Sequence, residues 1–141
     1  MFMQTPTQIF GLIATIIVCG LALSRGPEKA KQASIGAMVA FLATPLVQNW
    51  DDWTKPQWGI FAVDTAFLAF LVILSLRGTS WWLRVMIAAQ LLTVMSHLTM
   101  AVNKEVLARA YAATTYLLWF PLLAALAFSL LHRRKAAPSP A

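Results

Sequence analysis

The chain has 141 residues, of which 60% are hydrophobic and 11% charged, with a mean hydropathy of +0.70 and a formal net charge of +6. That composition excludes an ordinary soluble domain and leaves room for one compact all-α bundle, residues 1–135, with a short flexible tail over 136–141. The positive residues lie between apolar runs rather than on one face, so they read as orientation signals and no nucleic-acid partner is predicted.

Taken in order, the first predicted helix runs from Thr7 to Ser24, with Pro6 suited to its start and Arg25-Gly26-Pro27 ending it. Eighteen residues rise about 27 Å, enough for a hydrocarbon core. Cys19 lies inside this run and is the single cysteine, which excludes a disulfide within the chain. Its expected role is packing. After a basic linker, Glu28 to Lys31, a second helix is predicted over Gln32 to Val47. This segment is short and carries Pro45 near its end, so a re-entrant stretch, leaving four spans, is its alternative reading. Gly36, Ala40 and Thr44 recur every four residues and form a stripe for close helix contact.

The polar linker QNWDDWTKPQW follows, with Trp50, Trp53 and Trp58 expected at headgroup level. Asp51 and Asp52 are adjacent carboxylates, for which a solvated acidic loop is a simpler reading than a cation site. The third helix, Trp58 to about Leu76, organises the rest. It crosses some nineteen residues with one charge, Asp64, before leaving through Arg77, Gly78, a Trp pair and Arg84. A fourth helix is expected over Val85 to Val102 and a fifth from about Arg109 to Leu131. Pro121 lies mid-way along the fifth and removes one ladder bond there. With five spans, Arg25, Lys29, Lys31, Arg77, Arg84, Arg133, Arg134 and Lys135 fall on one side, and Lys55, Lys104 and Arg109 on the other. This asymmetry places the N-terminus outside and the C-terminus in the cytoplasm, in a bacterial inner membrane.

Polar groups inside a membrane are costly, so each needs a reason. Asp64 lies six residues into the third helix, roughly 9 Å from its edge. His97 is at a matching depth on the fourth, as are Thr114, Thr115 and Tyr116 on the fifth, with Thr15 somewhat deeper on the first. Gln90, Thr93, His97 and Lys104 share one face of the fourth helix, while Leu91, Leu92 and Met95 point toward lipid. Asp64 shares its own face with Leu68, Leu71 and Ser75. The candidate polar pocket is therefore Asp64, Gln90, Thr93, His97, Thr115 and Tyr116, with Asp64 set against His97.

Two readings of that pair stand open. As interhelical glue it fixes register; as the lining of a small pocket it binds a polar headgroup, a quinone or a cation, or passes a proton. No cofactor or metal site is predicted. His97 and His132 lie toward opposite ends, so one chain cannot hold a bis-histidine haem, and Met95 and Met100 occupy different faces. The Trp119 indole N–H is expected to meet a carbonyl freed by Pro121. No nucleophile–base motif supports an enzyme, and Ser96 beside His97 is not a catalytic pair.

The runs VDTAFLAFLVILSLRG, WWLR, AAQLLTVMSHL, RAYA and LLWFPLLAALA, over about Ala62 to Ala127, resemble a group of small bacterial inner-membrane proteins of about five helices. The resemblance implies no activity. It groups Asp64, Gln90, His97, Tyr111, Trp119 and Pro121 as one constellation. The expected function is that of a small integral accessory subunit, assembling with itself or with a larger membrane complex through stripes such as Gly36/Ala40/Thr44 and Ala62/Ala66. The alternative is proton or ion transport, small-ligand binding or sensing around Asp64 and His97.

Overall fold

Every long apolar run becomes one uninterrupted helix. The computed structural model describes residues 6–49, 55–78, 80–102 and 108–134. They form α1 (Pro6–Arg25), α2 (Glu28–Val47), α3 (Trp58–Leu76), α4 (Trp81–Val102) and α5 (Ala108–Arg134), with no strand among them. All five are long and apolar enough to cross a membrane. The linker tryptophans Trp50 and Trp53, the Asp51/Asp52 pair, Lys104 and the 136–141 tail lie outside the described residues.

Two boundaries differ from the sequence expectation. The second helix is neither short nor broken: it takes up Glu28 to Lys31 as its first turn, and the Pro27 carbonyl accepts from the amides of Ala30 and Lys31. Pro27 presets an extended entry and Glu28 suits the positive end of the helix, so the charged run initiates the helix instead of preceding it. Similarly, α4 begins at Trp81, four residues before the expected start, because Trp82 and Leu83 are buried in the core. Burial of the Trp ring outweighs the turn signal read from the paired aromatics.

The helices alternate in direction around a ring. Gly36 of α2 packs on Phe67 and Phe70, Asp64 of α3 meets His97 of α4, Trp81 of α4 meets Phe128 of α5, and α5 closes on α1 through Phe120 and Phe10. A shorter contact between α2 and α5 fills the centre. The core is Ala30, Ala33, Ala37 and Ala40 of α2 against Phe67, Leu71, Leu83, Met86, Leu122 and Leu126. Alanines let the α2 backbone sink among its neighbours. The expected small-residue stripe is thus largely used inside the chain: Ala40 is buried, and a Cβ on Gly36 would meet the Phe70 ring at 2.7 Å. Ala62 and Ala66, by contrast, face outward.

Apolar side chains also dominate the outside. Ile9, Ile13, Ile16 and Ile17 on α1, Val39 and Leu46 on α2, Ile73 and Leu76 on α3, and Leu91, Leu92 and Met95 on α4 are all exposed. In water such a surface would drive aggregation; in a hydrocarbon solvent it costs nothing. Lys29, at the start of α2, reaches the far end of α3 and donates to the carbonyls of Arg77 and Gly78. Those groups end a helix and lack intrahelical donors. Gly78 has a φ of 102°, a left-handed turn that a side chain would strain, and a Cβ there would come within 3.0 Å of the ammonium.

Candidate functional site

One polar cluster occupies the half of the bundle nearer Gln48 and Trp58. Asp64 is 9% exposed, His97 and Tyr111 4% each, and Gln90 1%. The α-helical repeat explains the geometry: Gln90, Thr93 and His97 are spaced three and four apart on α4, so all three face inward, where Asp64 of α3 lies. Gln90 Nε2 donates to Asp64 Oδ1 at 2.8 Å and lies 3.2 Å from the Asp64 carbonyl oxygen. His97 Nε2 is 2.8 Å from Asp64 Oδ2, and His97 Nδ1 is 2.5 Å from the Tyr111 hydroxyl. Three helices are joined by one unbranched chain of hydrogen bonds, Gln90–Asp64–His97–Tyr111.

The donor directions follow from what each group can do. An ionised carboxylate only accepts, and Gln90 reaches Oδ1 and the main-chain carbonyl of Asp64 only through its amide hydrogens. His97 therefore carries its hydrogen on Nε2, pointing at Asp64. In the neutral ring Nδ1 is then bare, and Tyr111 O–H donates to it. Phe61 and Tyr111 stand edge-on to the imidazole, with centroids 6.1 and 5.3 Å away, and fix its plane. The Asp64 carboxylate, both ring nitrogens of His97 and the Tyr111 hydroxyl, each costly if unpaired in a low-dielectric interior, all have partners here.

Beside this chain lies a cavity of about 270 Å³, bounded by α1, α2 and α5 with Ile60, Asp64 and Thr93 at its deep end. Tyr111 reaches the wall, while His97 and Gln90 stand behind it. Most of the wall is apolar or aromatic. Phe41 and Trp119 form a tilted pair with centroids 5.8 Å apart, and Tyr116 and Phe120 add two more rings. Leu42, an outward-facing residue of α2, is at the mouth.

Of the six pocket residues expected from sequence, Asp64, Gln90 and His97 meet directly. Thr93 reaches the cavity but bonds its own helix at Ala89 O, 3.1 Å away. Thr115 and Tyr116 also line the cavity without touching Asp64 or His97. Thr115 donates back to Ala112 O at 2.9 Å, and Tyr116 accepts from Gln8 Nε2 at 2.9 Å. A one-turn ambiguity on α5 separates expectation from structure: Tyr111, not Tyr116, completes the relay. Thr114 faces outward and bonds Ala110 O. Thr15 does not join the Asp64 layer; its oxygen accepts from Trp119 Nε1 at 2.9 Å. The indole therefore does not serve a carbonyl freed by Pro121, because the buried hydroxyl of α1 is opposite it. Met95 is exposed and Met100 buried, on separate sides of α4. Among the described residues no three His, Cys, Asp or Glu side chains converge as metal ligands.

No family model, curated protein or solved structure matches the chain. The functional reading therefore rests on this geometry alone.

Proposed function

We propose that the chain is a multi-pass membrane protein that binds a small, mainly apolar molecule in the α1/α2/α5 cavity, with the Gln90–Asp64–His97–Tyr111 chain recognising its polar end. The observation that carries this reading is the junction of a ring-lined cavity with a buried, fully bonded carboxylate–imidazole–phenol chain. Interhelical glue alone requires the chain of bonds but not the open space beside it. Concave, apolar sites with a few fixed polar groups are the usual form of small-molecule pockets. The asymmetry of the positive residues supports an outer-leaflet position for this half of the bundle in a bacterial cytoplasmic membrane, with the ligand entering from outside or from lipid.

The reading is tested with 4-decylphenol as a lipid-soluble aromatic probe, titrated calorimetrically into nanodiscs that hold the chain, with empty nanodiscs subtracted. One saturable site per chain is expected. Leu42→Trp, at the exposed mouth, and Ala112→Phe, in the wall, should each weaken it at least tenfold while helix content is kept. Partitioning without saturation, or equal binding in both variants, would contradict it.

A second reading, assembly with itself or with a larger complex, is favoured by one observation: Ala62 and Ala66 form a small-residue pair on the outer face of α3. Crosslinking through Ala66→Cys in membranes should trap a dimer or a partner on this reading, and a persistent monomer would oppose it.

A further inference from the structure

We infer that the cavity is built for a ligand that brings a hydrogen-bond donor: a lipid-soluble aromatic ring bearing a hydroxyl group, such as a phenol. This rests on the pocket reading above and specifies its ligand.

The inference comes from where each hydroxyl hydrogen in the wall is spent. Thr44 Oγ1 donates to Ala40 O at 2.8 Å, Thr93 Oγ1 to Ala89 O at 3.1 Å, and Thr115 Oγ1 to Ala112 O at 2.9 Å. A carbonyl cannot donate, so the direction of these bonds is fixed. With Asp64 ionised and the ring neutral, the hydrogen on Nε2 faces Asp64 and Tyr111 gives its own hydrogen to His97 Nδ1. Asp64 itself only accepts. Around the deep half of the cavity, four hydroxyl oxygens and a carboxylate therefore present lone pairs and no free hydrogen. The exceptions are Tyr116 and Gln8, which bond each other nearer the start of α1, and the Gln48 amide at the end of α2.

A carbonyl or ether oxygen entering that surface would meet only acceptors and lose its own hydration without return. A hydroxyl would meet a bonding partner in Tyr111, whose oxygen accepts while its hydrogen stays on His97. The added bond extends the existing series: ligand O–H to Tyr111, Tyr111 O–H to His97, His97 N–H to Asp64. Bonds in such a series polarise one another toward the carboxylate. The rings of Phe41, Trp119 and Phe120 suit an aromatic body, which stacks edge-to-face or offset against them. A cavity of about 270 Å³ accommodates a single substituted ring, with an alkyl tail leaving past Leu42 into lipid.

The test compares 4-decylphenol with 4-decylanisole, which differ by one O-methyl group: the phenol oxygen donates and the ether oxygen does not. In nanodiscs the phenol should bind roughly tenfold more tightly, the scale of one net hydrogen bond. Tyr111→Phe should reduce the phenol-to-anisole ratio to within about twofold, a readout taken on folded protein and so independent of any loss of folded yield; a merely structural role for Tyr111 would lower both ligands together and keep the ratio. Saturable binding of both compounds with equal affinity overturns the donor inference and leaves the pocket standing. A preference that survives Tyr111→Phe overturns it as well. Failure of both compounds to saturate removes the pocket reading itself.

Discussion

Replacing Asp64 with leucine is expected to destabilise the bundle by about 3 kcal/mol, the scale for losing hydrogen bonds to a charged group and leaving a buried donor unpaired. The substitution strands His97 Nε2–H and leaves the Gln90 amide only the main-chain carbonyl of residue 64, 3.2 Å away. Asp64→Asn keeps one oxygen for one of them and should cost about 1 kcal/mol. Membrane hydrogen bonds average near 0.6 kcal/mol in double-mutant measurements, because partly unfolded helices in lipid also find partners. The larger figure is expected because one residue serves two donors and carries the charge. Reversible unfolding in mixed detergent micelles measures it. His97→Leu alone should cost a similar amount, and the double variant should cost roughly 2 kcal/mol less than the sum. Additive losses would mean that the two side chains do not share one interaction.

The second large effect is expected at Gly59. A Cβ there would lie 2.4 Å from the Val47 carbonyl oxygen and 2.9 Å from Val47 Cβ, where the end of α2 crosses the start of α3. Alanine ordinarily strengthens a helix relative to glycine by up to about 1 kcal/mol. Here the clash is with backbone, which cannot rotate away, so overpacking should win and Gly59→Ala should cost about 2 kcal/mol net. Gly20 supplies the comparison: it is exposed on α1 with nothing within 4 Å of an added Cβ, and Gly20→Ala should be neutral or stabilising by several tenths of a kcal/mol. Thermal unfolding of the two variants in the same detergent separates the signs. Gly59→Ala should also weaken probe binding, since Thr44, Pro45 and Gln48 of the displaced α2 end line the cavity.

Much of this architecture was legible in the chain because lipid imposes a simple rule: a run must be apolar and long, and its rare polar residue must find company. Asp64 against His97 followed from that rule together with helical spacing, and so did the outward faces of Leu91, Leu92 and Met95. What the sequence could not settle was rotation about the fifth helix. Tyr111, Thr115 and Tyr116 lie within two turns, and period alone does not say which ring reaches the imidazole. Tyr111 is the one that does, with its hydroxyl 2.5 Å from His97 Nδ1. Trp119 shows the opposite case. Its proline neighbour gave a local reason for one partner, yet a hydroxyl 104 residues away in the chain takes the bond. Helix starts differ for a related reason: the charged EKAK run and the Trp pair look like loop from composition, while the extended entry at Pro27 and the burial of Trp82 draw them into helices.

Nitrogen NMR of the His97 ring, labelled in the full chain in lipid bilayers, probes the cluster most directly. The expected spectrum shows the hydrogen on Nε2 and a bare Nδ1 whose resonance moves when Tyr111 is changed to Phe, with Nε2 moving when Asp64 is changed to Asn. A neutral ring carrying its hydrogen on Nδ1, or a ring indifferent to both substitutions, would contradict a relay that joins the third, fourth and fifth helices beside the cavity.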